Sequence, residues 1–178
     1  MTTNDFVTVP AYDVQKLSVP YKNIVSAGNT EEITRKLFYS TKHLGKYDLD
    51  AGEHTGTHPG IDLKLPVGTP IGSIAGGSVY DVRENSVLGI HVLIEHHMGE
   101  EVFFSIYGHL GNTSVKKGQD VTPGQYIGNI GMTGSLTAPH LHLQVDRKRG
   151  EEPHQPYVPS SPADDKWMVN PIAFIDRY

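Results

Sequence analysis

The run Pro139-His140-Leu141-His142-Leu143-Gln144-Val145 leaves the backbone few options. Pro139 has no N–H to give to a ladder, so it suits the first position of a strand and no interior one. After it the residues alternate, with His140, His142 and Gln144 on one face and Leu141, Leu143 and Val145 on the other. The aliphatic face needs a core, so two imidazoles stand side by side on the opposite face. Their Cα atoms are about 6.6 Å apart for a rise of roughly 3.3 Å per residue. At that separation one ring can bind a metal while its neighbour reaches what the metal binds.

Much of the chain is punctuated for similar short strands. Its 178 residues hold 19 glycines and 12 prolines against 37% hydrophobic content, a composition of strands and turns. Residues 71–75 and 78–83 flank Gly76-Gly77, which predicts a hairpin. Over 91–96 the faces divide into Val92, Ile94 and His96 against His91, Leu93 and Glu95. A turn at 98–101 leads into a strand over 102–107, which ends in Gly108-His109-Leu110-Gly111 and so places His109 at a strand end. Two more strands are predicted over 115–121 and 126–130. Many short strands with regular turns indicate an antiparallel all-β domain with at most one or two short helices.

His58-Pro59-Gly60-Ile61-Asp62 adds a second pair of metal-competent side chains. Four residues apart is a helical spacing, but Pro59-Gly60 directly after the histidine argues against a helix interior. In a straight strand the two would lie about 13 Å apart, too far to share one ion. A bend at Gly60 would bring them together. Two nitrogens and a carboxylate oxygen leave a fourth position open, the arrangement of catalytic rather than structural zinc.

His58-Pro59-Gly60-Ile61-Asp62, Tyr107-Gly108-His109-Leu110 and Pro139-His140-Leu141-His142 together resemble the three motifs of the lysostaphin/LytM-type zinc metallopeptidases, peptidase family M23. Gly118-Gln119-Asp120-Val121, Gly124-Gln125-Tyr126-Ile127-Gly128 and Gly131-Met132-Thr133-Gly134-Ser135 are similar to the glycine-rich segment that precedes the last motif. The likeness covers roughly residues 45–145 and a terminal Asn170-Pro171 element. It implies a curled antiparallel sheet of the duplicated-hybrid or barrel-sandwich type with a cleft across it. It implies His58, Asp62 and His142 as ligands of one Zn²⁺ per chain, and His109 and His140 as catalytic residues that do not bind the metal. It further implies peptidoglycan peptides as partners, hydrolysed at the stem or cross-bridge by a metal-activated water. A tyrosine that some members place before the first ligand is absent, and Tyr47 or His54 is the nearest residue to fill its place. His96 matches a strand histidine with a structural part, while His43, His91, His97 and His154 read as surface or turn residues.

Composition narrows the remaining classes. A net charge of −5 without a long Lys/Arg run predicts no nucleic-acid surface. With no cysteine there is no disulfide, thiolate ligand or Cys nucleophile. No apolar run reaches the length of a membrane span, and Met1-Thr2-Thr3-Asn4-Asp5 lacks the features of a secretory signal. The likeness favours a mature piece of an exported protein acting in the periplasm or outside the cell, expected as a monomer. Residues 1–44 read as an extended arm with a short helix or strand, and 45–178 as the metallopeptidase domain with a Pro-rich loop at 146–166. The competing readings are an inactive M23-like binding or regulatory domain, a phosphocarrier or lipoyl-like carrier, and a structural β-domain with incidental histidines.

Overall fold

A computed structural model describes residues 58–63, 66–147, 168, 169, 171 and 174. Among these residues nine strands lie in one sheet, and every pairing is antiparallel: β1 (Ile61–Leu63), β2 (Pro70–Gly72), β3 (Gly77–Asn85), β4 (Gly89–Met98), β5 (Glu101–Thr113), β6 (Asp120–Val121), β7 (Tyr126–Ile130), β8 (Leu141–Arg147) and β9 (Met168–Val169). The main path runs β1-β8-β5-β4-β3-β6, with β7 joining β5 to β2 and β9 beside β8. At 13 residues β5 is long enough to pair with β4, β8 and β7 in turn, which makes it the axis of the sheet. Pro171 and Phe174 are helical. Among the described residues the sheet does not close, and the all-β antiparallel architecture expected from the sequence is the one found.

Alternation sorts the side chains by face. Leu141, Leu143 and Val145 of β8 join Phe103 and Tyr107 of β5 and Val92 and Ile94 of β4 in the main core. A buried aliphatic or aromatic side chain of this kind stabilises by about 1.5–3 kcal/mol, so these positions fix the register. The opposite face carries a smaller cluster of Leu88, Leu93, Phe104 and Ile106. In register beside it lie Gln144, opposite Ile106, and His142, opposite Gly108. One face is thus mainly apolar, with a buried polar pocket of His96, Ser105 and the Tyr107 hydroxyl, and the other changes from apolar to polar towards β8 and β1.

Three local expectations are corrected. Residues 71–75 and 78–83 do not form a hairpin, because β2 pairs with β7 and β3 with β4 and β6. Gly77 reflects crowding instead: a Cβ there would collide with the Glu95 carbonyl on β4. Of the run 115–121 only Asp120–Val121 is strand. The β8 strand begins at Leu141, two residues after Pro139. The arm at 1–44, any helix or strand in it, and most of the loop at 146–166 lie outside the described residues, as do His43, Tyr47, His54 and His154.

Candidate metal centre

The β1–β8 pair sets Asp62 opposite His142. His58 precedes β1 and is turned back over it by bends at Pro59 and Gly60, the bend that the spacing called for. Three ligand-type atoms then meet. His58 Nε2 and Asp62 Oδ1 are 3.1 Å apart, His142 Nδ1 and Asp62 Oδ1 3.1 Å, and His58 Nε2 and His142 Nδ1 3.2 Å. All three side chains are buried.

This triangle fits a metal. Tetrahedral bonds of about 2.0–2.2 Å place ligand atoms about 3.3–3.6 Å apart, a few tenths of an ångström beyond the spacing seen. Protons alone satisfy the triangle poorly, since two ring nitrogens 3.2 Å apart cannot both point N–H at one oxygen without crowding. A divalent ion satisfies all three atoms at once. Two imidazoles and a carboxylate suit zinc among the divalent metals.

A second line of hydrogen bonds orients His142. Gln144 Nε2 donates to both Asp146 oxygens at 2.9 Å, which leaves Oε1 to face His142 Nε2 at 3.2 Å. A carbonyl oxygen only accepts, so neutral His142 carries its proton on Nε2 and turns Nδ1 towards His58 and Asp62. Burial works against charge on both His142 and Asp62, but their mutual attraction prevails. Asp62 is held well below the ordinary carboxylate range, by the charge of His58 and by hydrogen bonds from His142 and His58. His142 is raised by the Asp62 hydrogen bond and charge and by its bond to Gln144.

His109 and His140 stand beside this cluster with ring centroids 4.5 Å apart, and His109 is 6.3 Å from His142. His109 Nδ1 donates to the Thr133 carbonyl at 2.9 Å and His140 Nδ1 to the Ala138 carbonyl at 2.8 Å. Each bond fixes the tautomer and makes Nε2 the basic nitrogen. Nε2 of His140 lies 3.7 Å from Asp62 Oδ1. Burial, then repulsion from His140 and His142, lowers the His109 pKa to about 4; burial also lowers that of His140. Both imidazoles are neutral near pH 7.

His109 is not at a strand end, because β5 continues to Thr113. His91 is not a surface residue either: it is buried, with Nδ1 bonded to the Gly89 carbonyl at 2.8 Å. His97 is exposed, as expected, and is paired with Glu95. Buried His96 bridges the Gly76 carbonyl and the Ser105 hydroxyl, a structural part. Asp146 and Thr133 were missed in the sequence. Asp146 continues the face of His142 and Gln144, a signal that alternation offered.

Fold and site together define a β-sheet protein whose polar face gathers three buried side chains able to hold a metal ion. The chain belongs to peptidase family M23, which it matches over residues 56–156. Among its relatives is the peptidoglycan DD-endopeptidase ShyB of Vibrio cholerae, 43% identical over 88 residues, which are 49% of this chain and 20% of that protein. The chain therefore spans about a fifth of that relative. A zinc-containing peptidase from Vibrio cholerae has a similar fold, with a TM-score of 0.53 and 34% identity, covering 68% of this chain and 34% of that one. The catalytic domain of lysostaphin from Staphylococcus simulans superposes with a TM-score of 0.62 at 25% identity, over 84% of this chain and 98% of that one.

Proposed function

We propose that this chain is a zinc-dependent endopeptidase that hydrolyses peptide bonds of bacterial peptidoglycan, in the stem peptide or the cross-bridge. The observation that carries the reading is the triangle of His58 Nε2, Asp62 Oδ1 and His142 Nδ1, 3.1–3.2 Å on each side, with two further imidazoles against it. Family membership and the names of the Vibrio cholerae and Staphylococcus relatives support both metal and substrate class.

In this reading His58, Asp62 and His142 hold the zinc. Bound there, zinc supplies a water acidified towards neutrality and a Lewis acid for the peptide carbonyl. His109 and His140 are catalytic residues. Each is neutral with a basic Nε2, so each can take a proton at that atom and, once charged, donate to an anionic oxygen or to the leaving amine. Buried walls around the cluster strengthen these interactions by excluding water. The substrate implies action in the periplasm or outside the cell. Residues 45–178 are read as the catalytic domain, residues 1–44 as an arm, and the chain as a monomer; no described helix is long and apolar enough to cross a membrane.

The carrier reading has less support. Its histidine-bearing strand offers His91, which is buried and tied to Gly89, and it gives the His58/Asp62/His142 cluster no purpose.

Digestion of purified peptidoglycan with and without a chelator, followed by mass spectrometry of the released muropeptides, tests the proposal. Chelator-sensitive release of peptides with new amino and carboxyl ends is the expected result. Cleavage of glycan bonds, or no cleavage by the zinc-loaded chain, would refute it.

A further inference from the structure

Among the described residues His109 is the one non-glycine residue in the left-handed region, at φ 62°. For an L-residue that conformation brings Cβ too close to the following carbonyl oxygen, so its surroundings must hold it. His109 sits in a bulge. Between the pairs Ile90–Leu110 and Val92–Tyr107 the register of β4 and β5 slips, setting Gly108 and His109 against the single residue His91. At that slip a side chain from a distant loop stands between the strands. The Ile90 N–H donates to Thr133 Oγ1 at 3.0 Å, and the same hydroxyl donates to the Leu110 carbonyl at 2.7 Å. The Thr133 carbonyl accepts from His109 Nδ1 at 2.9 Å.

We propose that Thr133 is the positioning residue for His109: its hydroxyl, wedged between Ile90 and Leu110, keeps the bulge open, and its carbonyl aims the imidazole at the metal centre. The proposal rests on His109 being catalytic, as read above. Two glycines grip the wedge. Gly89 and Gly134 both have positive φ, a Cβ on Gly89 would collide with Thr133, and one on Gly134 would collide with Gly89. The loop is therefore packed directly against the start of β4, with no room for a side chain between them. The wedge needs a group that accepts from one strand and donates to the other. Serine can do both, whereas valine has the shape of threonine and can do neither.

The zinc-loaded chain is compared with its Thr133→Val, Thr133→Ala and Thr133→Ser variants on a soluble peptide fragment of peptidoglycan. The alanine variant guards against a folding failure of the valine one. Valine and alanine should lower kcat by about 10- to 100-fold with KM and zinc content unchanged, and serine should recover most of the loss. Because the hydroxyl acts through His109, Thr133→Val should cost less than about 2-fold further in a His109→Ala background. A crystal structure of the valine or alanine variant should show His109 leaving the left-handed region or its ring withdrawing from His140. Full activity of both variants, or an undiminished loss in the His109→Ala background, overturns the proposal. Wild-type turnover by His109→Ala alone would refute the catalytic reading instead, while the variant structures would still decide what holds the bulge.

Discussion

Gly60 lies so close under the Leu143 carbonyl that a Cβ at this position has no room. The neighbouring atom is backbone of a central strand and cannot swing aside. Gly60→Ala is therefore expected to push the start of β1 away from β8 and carry His58 off Asp62 and His142. Zinc affinity should fall at least about tenfold, as when the support of a ligand is lost, and the melting temperature should fall with it. Competition against a chromophoric chelator, beside a thermal melt, measures both. An unchanged zinc affinity would separate the bend from the metal site.

The five polar residues of the centre should divide by what they lose. His58→Ala, Asp62→Ala and His142→Ala are expected to lose bound zinc. His109→Ala and His140→Ala should keep it and lose turnover by about 10²- to 10⁴-fold, the range for a removed acid–base group. Metal analysis of the five purified variants checks the division. Loss of zinc from His109→Ala or His140→Ala would mean that the ligand assignment is wrong.

Gln144 touches no substrate in this account, yet it sets which nitrogen of His142 is offered to the metal. Gln144→Leu keeps much of the volume and removes the hydrogen bonds to His142 and Asp146. Zinc should bind about 10- to 100-fold more weakly, while the sheet stays folded. Zinc titration of folded Gln144→Leu with wild-type affinity would contradict the assignment.

Acid should weaken metal binding in a defined direction. In the metal-free chain His142 is raised above 6.5, because the Asp62 and Gln144 bonds outweigh its burial. A proton on Nδ1 competes with zinc, so affinity should already fall as pH drops through that raised value. Asp62, held well below 3.8, stays ionised over the whole range. Calorimetric titration at pH 8, 7 and 6 should show progressively weaker binding and increasing proton release per zinc. Affinity independent of pH between 8 and 6 would contradict the proton's place in the site.

The parts of this site that depend on one strand or one bend were legible in the chain. Alternation from Pro139 onwards placed His140 and His142 on one face, and Pro59-Gly60 pointed to the turn that joins His58 to Asp62. The left-handed conformation of His109 was not legible, because it is imposed by a threonine 24 positions away and by a register slip between β4 and β5. Gly76-Gly77 misled for a related reason: glycine permits a tight turn and also close approach of a neighbouring strand, and local sequence does not distinguish the two. His91 is buried by the sheet around it, which alternation with polar Glu95 on its own face did not announce. Pairwise alternation survives into the fold; contacts between distant loops and strands do not announce themselves.

The most direct test of the account is anomalous diffraction from crystals of the zinc-loaded chain, collected on both sides of the zinc absorption edge. One peak should lie about 2.0–2.2 Å from His58 Nε2, Asp62 Oδ1 and His142 Nδ1, with a fourth position open to solvent. A peak ligated by His109 or His140, or Asp62 turned away from the ion, would contradict it.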